Sequence, residues 1–105
     1  MLIKENGPCL EIQPQEDMLL TNATTMQQAF SKALETFQGK QVKLDLTKIN
    51  NVDSTGLKLI IGLFRTCQTN HQQFYIETSS SAIVKLMQLC GLNKMIEVKE
   101  VLPNG

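Results

Sequence analysis

The sequence predicts an α/β fold, a mixed sheet of about four to five strands with about three helices packed on it, and two patterns carry that expectation. Apolar residues alternate with polar ones in short stretches such as Val42, Leu44 and Leu46. They recur at three- and four-residue steps in longer stretches such as Met26, Phe30, Ala33, Leu34 and Phe37. The two kinds of stretch follow one another along the chain, the order that layers helices on a sheet. A chain of 105 residues, 42% of them hydrophobic, is sized for one domain over residues 1–105.

Leu2 and Ile3 suit an edge strand before the turn-like Asn6-Gly7-Pro8, and residues 9–12 alternate loosely into a strand that Pro14 ends. The first helix runs from Asn22, with Thr21 or Asn22 as N-cap and Gly39 as its C-terminal stop. Residues 41–46 form the next strand. A second helix begins after Asp53 and opens at about Leu57, its apolar stripe made by Leu57, Ile60, Ile61, Phe64 and Cys67 and widened by Leu59 and Leu63. Phe74, Tyr75 and Ile76 are strand formers between polar stretches. A serine among residues 79–81 caps a third helix with apolar Ile83, Leu86, Met87 and Cys90, stopped by Gly91-Leu92. Ile96 and Val98 alternate into a last strand, and Pro103-Asn104-Gly105 reads as a frayed end.

Composition excludes several functions. Ten basic residues balance ten acidic ones, so no charge excess draws phosphate backbones or anionic membranes, and direct nucleic-acid or membrane binding is not expected. The longest apolar run, six residues at 59–64, is far short of the roughly 20 that cross a bilayer. Lys4 and Glu5 stand where a secretory leader would be apolar, which predicts a cytoplasmic protein. Cys9, Cys67 and Cys90 lack metal or redox spacing and read as reduced thiols, Cys67 and Cys90 buried on helix faces. His71, the single histidine, lies in a polar stretch and reads as a solvated loop residue.

One segment carries chemistry. Asp53-Ser54-Thr55-Gly56 puts short polar groups where the first amides of a helix lack intrahelical partners. A phosphate on Ser54 would meet those amides and the positive end of the helix dipole, a favourable effect of about 0.3–1 kcal/mol. Placed beside Asp53, its charge of about −1.5 to −2 would instead be felt by any partner covering the loop. Plain N-capping accounts for the same residues. The segment has neither the phosphate-loop nor the hydrolase-elbow pattern, so no cofactor, metal site or catalytic residue is assigned. Asp45 and Asp53 do not read as a catalytic carboxylate pair, since strand alternation and helix capping account for one each.

Leu44-Asp45-Leu46, Ile49 and Val52-Asp53-Ser54-Thr55-Gly56-Leu57 resemble the central signature of STAS domains, in particular bacterial anti-sigma factor antagonists. Residues 80–92, ending in Gly91-Leu92, resemble the family's later helix. The resemblance implies a STAS-like fold and a partner switch: an anti-sigma factor that is also a serine kinase phosphorylates Ser54, a PP2C-like phosphatase reverses it, and only the unmodified antagonist binds. It also implies a partner surface at Asp53, Thr55, Gly56 and Lys58 and, at the start of the first helix, Asn22 and Thr24. Leu19 stands where an acidic residue recurs in the family, Lys58 where a small one does, and the family's C-terminal helix is missing or very short. A rival reading is a STAS subunit bracing a lipid- or metabolite-transport ATPase, with the serine as a structural cap. A hydrolase using Ser54 ranks last, since no base is placed beside it by sequence. The sequence assigns no oligomeric state.

Overall fold

The computed structural model describes residues 1–102, so the end of the chain expected to fray lies outside the described residues. The elements are β1 (Leu2–Asn6), β2 (Cys9–Gln13), α1 (Ala23–Thr36), β3 (Gln41–Asp45), α2 (Ser54–Thr69), β4 (Gln73–Thr78), α3 (Ser81–Leu89) and β5 (Glu97–Glu100). Single 3-10 turns at Leu20–Asn22 and Leu92–Lys94 were not signalled by periodicity. The five strands lie in sequence order, β1 antiparallel to β2 and the other neighbours parallel. A two-residue turn joins β1 to β2. Gly7 takes φ +61° at its first central position and Pro8 fills the second, the pattern of a II′ hairpin.

Each later strand is added beside the last through a helix. Right-handed crossovers that all step the same way leave all three helices on one face. The register shows which face they cover. Leu10, Val42 and Phe74 stand in one row and Ile12, Leu44 and Ile76 in the next, all buried. Met26, Phe30 and Leu34 of α1, Ile60, Leu63 and Cys67 of α2, and Ile83 and Met87 of α3 close over them. The opposite face is polar, with Lys43 Nζ 2.8 Å from Glu11 Oε1 and 3.3 Å from Glu77 Oε1. Burial opposes the charge on Lys43, but these two carboxylates outweigh it and raise its pKa.

The structure corrects four readings. Helix α1 ends at Thr36, where Phe37 turns extended (φ −80°, ψ 126°), so Gly39 is not its stop. Gly39 is needed for space, because a Cβ there would lie 2.6 Å from the Pro8 carbonyl oxygen and against the Phe37 ring. Cys90 is exposed rather than buried, because α3 ends one residue earlier and the chain turns away at Gly91 (φ +75°). Helix α2 starts at Ser54, directly after Asp53 as expected, but of the expected stripe it buries only Ile60 and Cys67, with Gly56 and Leu63, while Leu57, Ile61 and Phe64 stay half-buried. Asn22 holds the N-cap position of α1, yet its side chain donates to the Asp17 carbonyl at 2.8 Å instead of capping the helix. Cys67 is buried as expected, and burial pushes its thiol up to about 12, too high for a nucleophile.

Gly62 sits exposed in the middle of α2, and a Cβ built there meets nothing within 4 Å. Glycine in a helix interior is less favourable than alanine by about 0.8–1 kcal/mol. Gly62→Ala should therefore raise the melting temperature by about 4 °C, read by calorimetry, and a fall would reveal a packing role for the open position.

Candidate functional site

The site is built where two distant stretches of chain lie side by side. Met18 forms a parallel bridge with Val52. Its N–H donates to the Asn51 carbonyl at 3.1 Å, and its carbonyl accepts the Asp53 N–H at 3.1 Å. Asp17 reinforces the pairing, accepting from the Asn50 N–H at 2.9 Å and from Asn51 Nδ2 at 3.0 Å. These bonds, the Asn51 side chain foremost, hold the Asp17 carboxyl below the usual range.

Asp53 then stops the strand-like run and starts a helix. Its backbone is extended (φ −91°, ψ −175°), and its Oδ1 accepts the Gly56 N–H at 2.9 Å, the bond of an N-cap. Its other oxygen accepts the Leu20 N–H, also at 2.9 Å. One carboxylate thus ties the start of α2 to the turn that precedes α1. The Gly56 and Leu20 amides, in that order, draw the Asp53 carboxyl below its ordinary value.

Ser54 follows as the first helical residue, exposed, with Thr55 half-buried and Gly56 buried behind it. Lys58 is exposed four residues on, so it shares a helix face with Ser54. The turn holding half-buried Asn22 packs against the start of α2, and Thr24 lies exposed on the first turn of α1. The expected surface residues therefore gather at one end of the molecule. The sequence reading missed Asp17, Met18 and Leu20, which hold that end together. The available signal was the apolar run Met18-Leu19-Leu20, which belongs to neither a strand nor a helix pattern.

Asp45, the other carboxylate weighed, is separately engaged by Gln13 Nε2 at 2.8 Å and by the Thr47 N–H and hydroxyl at 2.9 and 2.6 Å. His71 is exposed just beyond the far end of α2. A helix of 16 residues spans about 24 Å, so this imidazole is out of reach of Ser54. Among the described residues, no helix is long and apolar enough to cross a membrane.

Asp17 and Asp53 both titrate below an unfolded carboxyl. Their contribution to stability is full above about pH 4 and is lost as pH falls through their lowered folded values. The urea midpoint should fall between pH 5 and pH 3, and Asp17→Asn should flatten that fall. An unchanged midpoint at pH 3 would contradict it.

A mixed sheet covered by helices on one face, with an exposed serine heading a capped helix, defines a small one-sided α/β domain. The chain belongs to the STAS domain family, whose pattern matches residues 1–104. Over 73 residues it is 32% identical to the anti-sigma-B factor antagonist of Listeria monocytogenes, covering 67% of this chain and 64% of that protein. The chain thus matches less than two thirds of that relative's length. The anti-sigma-B factor antagonist of Staphylococcus aureus is 30% identical over 61 residues, 58% of this chain and 56% of its own. Among solved structures, an anti-sigma factor antagonist from Mycobacterium paratuberculosis superposes with TM-score 0.84 at 17% identity, covering 96% of this chain and 85% of that one. The unphosphorylated form of the antagonist SpoIIAA does so with TM-score 0.76 at 14% identity, covering 92% and 85%. These similarities establish the fold, the mixed five-stranded sheet with three helices, as that of STAS anti-sigma antagonist structures.

Proposed function

We propose that the protein is a phosphorylation-controlled binding module, a cytoplasmic anti-sigma factor antagonist that binds an anti-sigma factor kinase while Ser54 is unmodified. The observation that carries this reading is the placement of Ser54: exposed, first in its helix, and next to a carboxylate that already occupies the Gly56 amide. In the kinase step, Ser54 Oγ bonds to the γ-phosphorus of ATP held by the partner. ADP leaves and the hydroxyl proton passes to a base of the kinase. Because Asp53 keeps its amides, the new phosphate stays at the surface. There its charge must be desolvated or opposed when a partner closes over the turn. Binding is lost while the domain stays folded, and a PP2C-like phosphatase restores it.

The test is incubation with host lysate and ATP followed by intact-mass and fragment mass spectrometry, with Ser54→Ala in parallel. One phosphate on Ser54, absent in the variant, is the expected result and gives a handle for isolating the kinase. No phosphate at Ser54 in a lysate that modifies a known antagonist would overturn the proposal.

A further inference from the structure

Among the described residues, Leu2, Leu20, Leu89, Met95 and Leu102 are the large apolar side chains that stand more than half in water, Leu20 at 70% exposure. Single apolar residues on a surface are ordinary and mark nothing by themselves. Leu20 differs in how it is held. It opens the 3-10 turn Leu20–Asn22, and its N–H is bound by the carboxylate that caps the helix begun by Ser54. At the other end of the turn, the Asn22 N–H donates to the Leu19 carbonyl at 2.9 Å and its side-chain amide to the Asp17 carbonyl. Asp17 is itself bonded to Asn50 and Asn51. A leucine on a turn tied at both ends has little backbone freedom left to lose, so burying it against a partner costs less entropy than burying a mobile one. Its surroundings are polar: Thr21 follows it in the chain, and Ser54 and Lys58 are exposed on the helix that Asp53 caps. An apolar centre with a polar rim is the anatomy of a protein–protein interface.

Resting on the antagonist reading above, the geometry points to Leu20 as the apolar anchor of the kinase interface. Asp53 is its positioning residue, holding leucine and serine in one rigid unit. The partner it fits is a protein surface with a shallow apolar recess beside the groups that reach Ser54. The recess gives affinity, and phosphate two bonded groups away opposes it.

The test titrates the anti-sigma factor kinase isolated through Ser54 phosphorylation with wild type, Leu20→Ser, Leu20→Met, Leu89→Ser and Ser54→Asp, each also melted. Leu20→Ser should bind at least about tenfold more weakly, mainly through faster dissociation, with its melting temperature within about 2 °C of wild type. Leu20→Met should stay within about threefold of wild type, and Leu89→Ser should change nothing. If Leu20→Ser binds like wild type while Ser54→Asp does not bind, the anchor is overturned and the antagonist reading stands. If wild type does not bind the kinase, both fall. A measurement without partner checks the positioning role: amide exchange at Leu20 should be slow in wild type and at least about tenfold faster in Asp53→Ala. Fast exchange at Leu20 in wild type would overturn it.

Discussion

Replacing Gly56 by alanine should destabilise the protein by about 2–3 kcal/mol and lower its melting temperature by roughly 10 °C or more. A methyl group at this position would fall on the Met18 carbonyl oxygen and lie 2.9 Å from both Met18 Cβ and Val52 Cγ1. The obstacle is backbone that cannot swing aside, because the same carbonyl accepts the Asp53 N–H and Met18 is bridged to Val52. Relieving the clash means pulling residues 17–20 away from residues 50–53, and with them the Leu20 N–H that Asp53 holds. Helix propensity alone gives the opposite sign, since alanine is the better helix former by about 1 kcal/mol. Gly62→Ala in the same helix meets open space and isolates that propensity. Two identical substitutions six residues apart should therefore move urea midpoints in opposite directions. Equal shifts would mean that the close approach at Gly56 is not maintained in solution.

That close approach also marks where sequence reading stops. Periodicity within one element is local, and it found α1, α2, α3 and the inner strands because the spacing of Met26, Phe30 and Leu34, or of Val42 and Leu44, states which face is buried. The pairing of Met18 with Val52 joins positions more than 30 residues apart, and the bonds of Asp17 and Asp53 reach equally far. Nothing periodic announces such contacts. Gly39 and Gly56 show the same limit: both are glycines for want of space, and in each case a carbonyl from a distant stretch of chain, that of Pro8 or of Met18, takes part of that space. Cys90 failed for a different reason. Its helical spacing was correct, but the helix had already ended. At the candidate site, the capping chemistry of Asp53 was legible from residue types, whereas the choice of Ser54 over Thr55 came from family resemblance. The structure adds that Ser54 is the more exposed of the two.

On the proposed antagonist reading, Ser54→Asp should weaken binding to the anti-sigma factor kinase by about a hundredfold while leaving the melting temperature within about 2 °C of wild type. In the free protein the added carboxylate enters an exposed first helical turn, where the dipole favours it. Lys58, four residues on, offers an opposite charge on the same face, worth about 0.3 kcal/mol. Repulsion from Asp53 opposes both effects, so the net change in stability is small. In the complex the balance shifts. A partner covering the turn strips water from two adjacent carboxylates, and an uncompensated buried charge costs about 3–5 kcal/mol, on the order of a hundredfold or more in affinity. Ser54→Ala, which adds no charge, should bind like wild type. Titration calorimetry of the three proteins against the kinase, with thermal melts alongside, separates the possibilities. A drop of about 8 °C or more in Ser54→Asp would mean that the added charge strains the fold itself rather than the interface, and unchanged affinity would place the interface elsewhere on the domain.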